Sequence, residues 1–297
     1  MPINQEMLEQ IQHGQGFIAA LDQSGGSTPK ALANYGISEN SYANDQEMFD
    51  LVHQMRSRII TSPAFTSEHI IGAILFERTM SSKIGDKFTA EYLWQDKHVV
   101  PFLKIDNGLA ERSNGVQLMK PIPELEHRLN EANRHNVFGT KMRSVIYEAN
   151  EQGIADVINQ QFELAKIICK AGLVPIIEPE VDIHATDKAK CEEMMKTEIK
   201  KHLSDWSGRD KIMFKFTIPS QPDFYADLYN NSAVVRIVAL SGGYPVDEAC
   251  AKLAENHNMP ASFSRALLQN LRAQQSDEEF NNTLAQAIQQ IYQASIN

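Results

Sequence analysis

The chain has 297 residues, 42% of them hydrophobic, enough to build a large core in one α/β barrel or in two average domains. Its 28 Lys and Arg against 38 Asp and Glu give a formal net charge of −10, which lends nucleic-acid binding no electrostatic support but still allows anionic small substrates held by a few local cations. Three cysteines (Cys169, Cys191, Cys250) without paired spacing argue against a disulfide framework or thiolate metal site, and no apolar run reaches membrane-spanning length, so the expected setting is the cytoplasm.

After a short amphipathic opening (Glu6 to His13), eight apolar, strand-like runs recur along the chain. They are Gly16–Asp22, Ile70–Phe76, Val99–Ile105, Phe138–Val145, Leu173–Glu180, Ile212–Ile218, Val234–Ser241 and Ala261–Arg265. Between most of them lie segments of 3.6-residue periodicity, among them Asp45–Ile60, Ile154–Ala171, Lys188–Leu203 and Val246–His257. The chain closes on Asp277–Ala294, behind a capping-box-like Ser276-x-x-Glu279. Strands alternating with helices predict a parallel sheet, and eight repeats predict an α/β chain closed into a (β/α)8 TIM barrel. Residues 1–297 are read as one barrel domain with an N-terminal and a C-terminal helix. A doubly wound open sheet is the alternative, weakened in its dinucleotide-binding form because no G-x-G-x-x-G follows the first strand. The polar stretch Met80–Asp96 is expected to be an irregular excursion.

A barrel builds its active site at the C-terminal ends of its strands. Here those ends carry Asp22, Glu77, Lys104 with Asp106, Lys141 with Arg143, Glu178 with Glu180, Lys215, Ser241 and Arg265. In Lys141-Met-Arg143 and Glu178-Pro-Glu180 the charges stand two apart, so each pair faces one side of its strand. Turning all four towards the outer helices would bury them against apolar surface, and a shared polar interior is the cheaper arrangement. Lys215 lies in the middle of Lys211-Ile-Met-Phe-Lys-Phe-Thr-Ile-Pro219, a run apolar on both faces. A buried lysine, with a cation such as Lys141 nearby, is expected to have a depressed pKa and to serve as an imine-forming amine. The plainer reading is a strand lysine snorkelling to solvent. Glu178 and Glu180 are candidate acid/base groups, close enough to drive their pKa values apart. Asp22 either orients an amine or substrate hydroxyl, or caps a helical turn.

Anion sites are suggested by Leu240-Ser-Gly-Gly243, by Ser262-Phe-Ser-Arg265, and by Gln23-Ser-Gly-Gly-Ser27 followed by Lys30. Each glycine pair alone is more often a turn. The nine histidines show no metal-ligand spacing, and His184, next to the expected mouth, reads as a loop residue.

These residues resemble class I fructose-1,6-bisphosphate aldolase in its shorter bacterial form, from about Phe17 to Arg272. The resemblance rests on Ala20-Leu-Asp-Gln-Ser-Gly-Gly-Ser27, Phe102-Leu-Lys-Ile-Asp-Asn-Gly108, Thr140-Lys-Met-Arg143, Val174-Pro-Ile-Ile-Glu-Pro-Glu180, Lys215, Leu240-Ser-Gly-Gly243 and Ser262-Phe-Ser-Arg-Ala266. It implies a (β/α)8 barrel that reversibly cleaves the ketose bisphosphate to dihydroxyacetone phosphate and glyceraldehyde 3-phosphate. It also implies that Lys215 forms the Schiff base and Glu178 is the main acid/base, with Glu180, Lys141 and Asp22 tuning the amine and handling hydroxyl protons. One phosphate would sit at Ser241, Gly242, Gly243, Ser264 and Arg265. Lys104, Arg143, Ser24 and Ser27 would lie nearer the other or line the cavity. Two departures stand out. Gln23 replaces the glutamate of animal relatives, and the chain ends at Ile-Asn without their C-terminal tail and terminal tyrosine. Sugar phosphates are the expected partners, with neither nucleic acid nor membrane, and no metal or other cofactor is expected. A homo-oligomer is compatible with the sequence, but no face marks an interface.

Overall fold

Seven of the eight apolar runs form parallel strands that pair in the order in which they occur. They are β1 (Phe17–Leu21), β2 (Ile70–Leu75), β3 (Val100–Lys104), β4 (Gly139–Ile146), β5 (Val174–Val181), β6 (Ile212–Thr217) and β7 (Val234–Leu240). The computed structural model describes residues 3–24 and 28–297. Both faces of the sheet are covered, which is why these strands lack a simple apolar–polar alternation. On the outer face, residues such as Phe17, Leu75, Leu103, Met142, Phe214 and Ile237 pack in the large core shared with the surrounding helices. On the inner face, Ile18, Ile74, Phe102, Ile176, Met213 and Val238 fill the lower interior. Met7 and Ile11, on the buried stripe of the N-terminal helix Gln5–His13, close that end. Packing is tight there. A Cβ on Gly139 would stand 2.1 Å from the Val174 carbonyl oxygen and 3.0 Å from the Phe102 ring, so β4 starts on a residue with no side chain.

The eighth run departs from expectation. Instead of a strand over Ala261–Arg265, only Ala261 bridges to Ala239 of β7. Ser264 already has helical backbone angles, and Arg265 opens the short helix Arg265–Leu268. The segment nevertheless closes the sheet. Ser262 N–H donates to the Ala239 carbonyl at 2.6 Å, while Ile18 N–H donates to the Ala261 carbonyl at 2.9 Å. One extended stretch thus joins β7 to β1, and the parallel sheet becomes a (β/α)8 barrel.

The helices start where the chain supplies caps. Asn44 accepts from Glu47 N–H ahead of Asp45–Thr61, and Asn150 accepts from Gly153 N–H ahead of Glu151–Lys170. Ser276 and Glu279 form a reciprocal capping box ahead of Asp277–Ser295. Val246–Leu253 stops four residues short of the expected His257. The excursion at Met80–Asp96 is more regular than expected. It continues the helix Glu77–Ser81 into a hairpin, Lys83–Ile84 against Lys87–Phe88, and then into the helix Thr89–Lys97.

Candidate active site

Barrel geometry sends the inward side chains at the C-terminal ends of the strands towards one centre, and the charges of this chain meet there. Lys141 Nζ, from β4, lies 2.7 Å from Asp22 Oδ2 at the end of β1 and 3.0 Å from Glu178 Oε2 on β5. Lys215 Nζ, from β6, lies 3.1 Å from the other oxygen of the same carboxylate, Glu178 Oε1. Lys104 Nζ, at the end of β3, lies 2.8 Å from Asp106 Oδ1. Lys141, Glu178 and Lys215 are 3%, 3% and 4% exposed, so the plainer reading of Lys215 as a snorkelling lysine does not hold. The six charges are three of each sign. Together they form a locally neutral network, the condition under which buried ions are tolerable.

The network fixes which groups stay charged. Burial alone would raise the Asp22 carboxyl, but Lys141 and Lys215 more than offset it and hold its pKa well below the usual carboxylate range. Burial alone would lower Lys141, but Asp22 and Glu178 outweigh it, and its pKa lies above that of an ordinary lysine. Asp106, too, is held low against burial by Lys141 and Lys104. Lys141 is therefore a fixed ammonium. Glu178 reaches both lysines, one oxygen to each, and can pass a proton at Lys215 while Lys141 steadies its other oxygen.

Glu180 and Arg143 form a separate pair through Arg143 Nε and Glu180 Oε2. Each glutamate of the Glu-Pro-Glu motif thus meets cations of its own instead of facing the other carboxylate. Beside Lys104 and Lys141 opens a cavity of about 380 Å³ whose walls also include Asp22, Ser24, Asp106 and Arg143. A second cavity, of about 660 Å³, is lined by Lys30, Ser264, Arg265 and Arg272. Gln23 lines both. Arg265 is exposed at the start of its short helix, so it faces this second cavity and not a strand end inside the mouth. Ser241 ends the run next to the Lys215 strand, followed by Gly242 and Gly243 with φ of 62° and 114°. At Gly242 a Cβ would also lie 2.6 Å from Ile183 Cγ2, so a side chain is excluded there twice over. Ser27 lies outside the described residues. Glu77 sits 3.5 Å from Arg128, and His184 is an exposed loop residue.

Two participants escaped the sequence reading. Asp106, which the sequence marks only by its place at a strand end, pairs with Lys104. Arg56, only 1% exposed, donates to Thr79 Oγ1 at 2.6 Å and to the Gln23 carbonyl oxygen. Burial pushes its guanidinium down to about 10, with Asp22 partly restoring it. Gln23 in turn donates to Ser264 Oγ, tying the end of β1 to the segment that closes the barrel. The signal for Arg56 was its place on an apolar stripe, four residues from both Val52 and Ile60.

Comparisons with known proteins agree with this geometry. The family profile for class I fructose-bisphosphate aldolase matches residues 4–213. The chain is 60% identical over 294 residues to the class 1 fructose-bisphosphate aldolase of Clostridium acetobutylicum, covering 99% of this chain and 100% of that one. Its fold resembles that of the fructose-bisphosphate aldolase of Plasmodium falciparum, with a TM-score of 0.73 at 18% identity over 100% and 98% of the two chains. A Corynebacterium glutamicum protein follows with a TM-score of 0.54 at 13% identity over 98% and 92%. Matched by the profile over most of its length and by the clostridial enzyme over nearly all of it, the chain belongs to the class I fructose-bisphosphate aldolase family.

Proposed function

We propose that Lys215 is the amine with which this aldolase forms a Schiff base, and that Glu178 is the acid/base serving it, in the reversible cleavage of fructose 1,6-bisphosphate. The observation that carries the assignment is the shared carboxylate. Glu178 holds Lys215 at 3.1 Å and Lys141 at 3.0 Å, and Lys141 has Asp22 besides. Lys141 keeps its proton, while Lys215 has Glu178 placed to take one.

The free amine of Lys215 attacks the C2 carbonyl of the open-chain ketose. Glu178 returns the proton to the carbinolamine oxygen, which leaves as water, and a protonated imine remains. A carboxylate, Glu178 or Asp22, removes the C4 hydroxyl proton. The C3–C4 bond breaks, its electron pair moves into the imine to give an enamine, and glyceraldehyde 3-phosphate departs. Protonation at C3 and addition of water then release dihydroxyacetone phosphate and restore the amine. Glu180 and Arg143, paired at the rim, shape the approach. Lys104 and Arg143, with Ser24 and Ser27, serve one phosphate. Ser241, Gly242 and Gly243, with Ser264 and Arg265, serve the other, through amide N–H groups that glycine leaves open and a guanidinium fork. The protein's partners are thus sugar phosphates. We also place it in the cytoplasm, since Cys169, Cys191 and Cys250 are all free thiols, as a reducing compartment keeps them.

Borohydride trapping with dihydroxyacetone phosphate, in the presence of a chelator, tests the assignment. A reduced adduct on the peptide carrying Lys215 is expected from peptide mass analysis. An adduct on Lys141 or Lys104, or none, would overturn it.

A further inference from the structure

Glu178 is held from behind by a residue the mechanism does not use. Backbone pairing between β5 and β6 is recorded at Ile176–Met213 and Ile177–Phe214 and, among the described residues, goes no further. The strands part at the level where Glu178 and Lys215 face each other. A buried N–H that leaves a ladder needs another acceptor. Gln161, on the helix Glu151–Lys170, supplies it: Glu178 N–H donates to Gln161 Oε1 at 2.9 Å. The next residue, Pro179, has no N–H to donate, and beyond Ile177 the backbone pairing of β5 is with β4. The Gln161 side chain is itself fixed, because its Nε2 donates to Ser144 Oγ at 3.1 Å. Gln161 and Ser144 are both 0% exposed. Gln161 sits on the stripe formed by Ile154, Val157, Ile158, Phe162 and Ala165, where burial alone would favour an aliphatic side chain.

We propose that Gln161 is a positioning residue, oriented by Ser144, that fixes the Glu178 backbone so that its carboxylate spans Lys141 and Lys215. The proposal rests on the acid/base role given to Glu178 above. An outer helix thereby sets the geometry of proton transfer without touching substrate. Without the Gln161 acceptor, the Glu178 amide turns to seek another, and the carboxylate turns with it. Binding of the bisphosphate, made by other side chains, is left alone.

Steady-state kinetics on the full chain, with unfolding midpoints alongside, test this in Gln161→Met, Gln161→Glu and Ser144→Ala. Gln161→Met keeps the volume and removes the acceptor. It should lower kcat about tenfold to a hundredfold, as for displacement of a catalytic group by about 1 Å, with KM within about twofold. The borohydride adduct on Lys215 should still form. Gln161→Glu keeps an acceptor oxygen and should recover most of the lost kcat, and Ser144→Ala should cost a few-fold. A kcat unchanged in Gln161→Met, an equal loss in Gln161→Met and Gln161→Glu, or a rise in KM in place of the fall in kcat would each overturn the proposal. If Gln161→Met does not fold, the other two decide. A loss in Ser144→Ala with near-normal Gln161→Glu supports it, and a silent Ser144→Ala or an inactive Gln161→Glu overturns it. Failure of the underlying reading looks different. No wild-type adduct on Lys215, or a silent Glu178→Gln, would remove the role of Glu178 itself.

Discussion

The two ends of the barrel bury charge under opposite rules. At the C-terminal mouth, three cations and three carboxylates lie in two ion-paired groups, Lys104 with Asp106 and Lys141 and Lys215 with Asp22 and Glu178, and attraction to the lysines holds the Asp22 and Asp106 carboxyls low against burial. At the other end the interior is aliphatic and aromatic, and one buried cation, Arg236, intrudes. Its recorded partners are oxygens without formal charge: the Ile11 carbonyl at 2.8 Å, the Gly14 carbonyl, and Asn258 Oδ1 at 2.8 Å. Ile11 and Gly14 lie at the C-terminal end of the first helix, where the backbone dipole favours a cation. Burial pushes this guanidinium down, with Tyr229 opposing it. In the proposed mechanism charge at the mouth exchanges protons, while charge at the base fastens a helix to the barrel. The mouth is the end whose mutation should remove chemistry; the base is the end whose mutation should remove stability.

The sharpest contrast is expected from Lys215→Met. Turnover and the borohydride adduct should both vanish while the unfolding midpoint stays within a few degrees of wild type. Measurable cleavage would end the Schiff-base assignment. Glu178→Gln should come next, lowering kcat by about 10²–10⁴-fold with adduct formation slowed, as seen in rapid-quench trapping. A change confined to KM would contradict its role. At the base, Ile11→Ala should lower stability by about 2–5 kcal/mol in urea titrations and leave kcat within about twofold. Arg236→Met should be milder, about 1–3 kcal/mol for the carbonyls left unpaired. If either base variant lowered kcat more than stability, the separation between the two ends would fail.

The smallest effect concerns pH. The Asp22 carboxyl has a folded-state pKa below its unfolded value of about 3.9. Its contribution to stability is thus complete above that value and is lost as pH falls through the folded one. Stability of Asp22→Asn, followed by circular dichroism, should decline less steeply than wild type below about pH 4. Matching acid limbs would mean that Asp22 is not ionised in the folded network.

Much of this was visible in the sequence because burial on both faces leaves long apolar runs, and charges inside such runs have few places to go. Lys215, Glu178 and Lys141 were therefore readable from their strands. What was hidden was hidden for physical reasons. The closing segment has only a single bridge and turns helical by Ser264, too short to show a period. Thr89–Lys97 buries only Thr89, Ala90 and Leu93 and lacks the apolar stripe that reveals a longer helix. The positions of Arg56 and Gln161 on such stripes were readable, but their purpose lay in backbone groups many residues away. Periodicity cannot report such partners.

Closure through residues 260–263 also has a consequence for synthesis. The first strand is completed by hydrogen bonds to a segment some 240 positions later, a contact of very high sequence separation. A chain emerging from the ribosome carries β1 to β7 before that segment exists. For that interval both ends of the sheet are open edges, of the kind that recruits other strands. The helix Asp277–Ser295, which packs on β1, arrives later still. Nonsense or frameshift truncation between residues 241 and 260 is thus expected to yield an aggregation-prone product, even though every lysine and carboxylate of the charge network is already present.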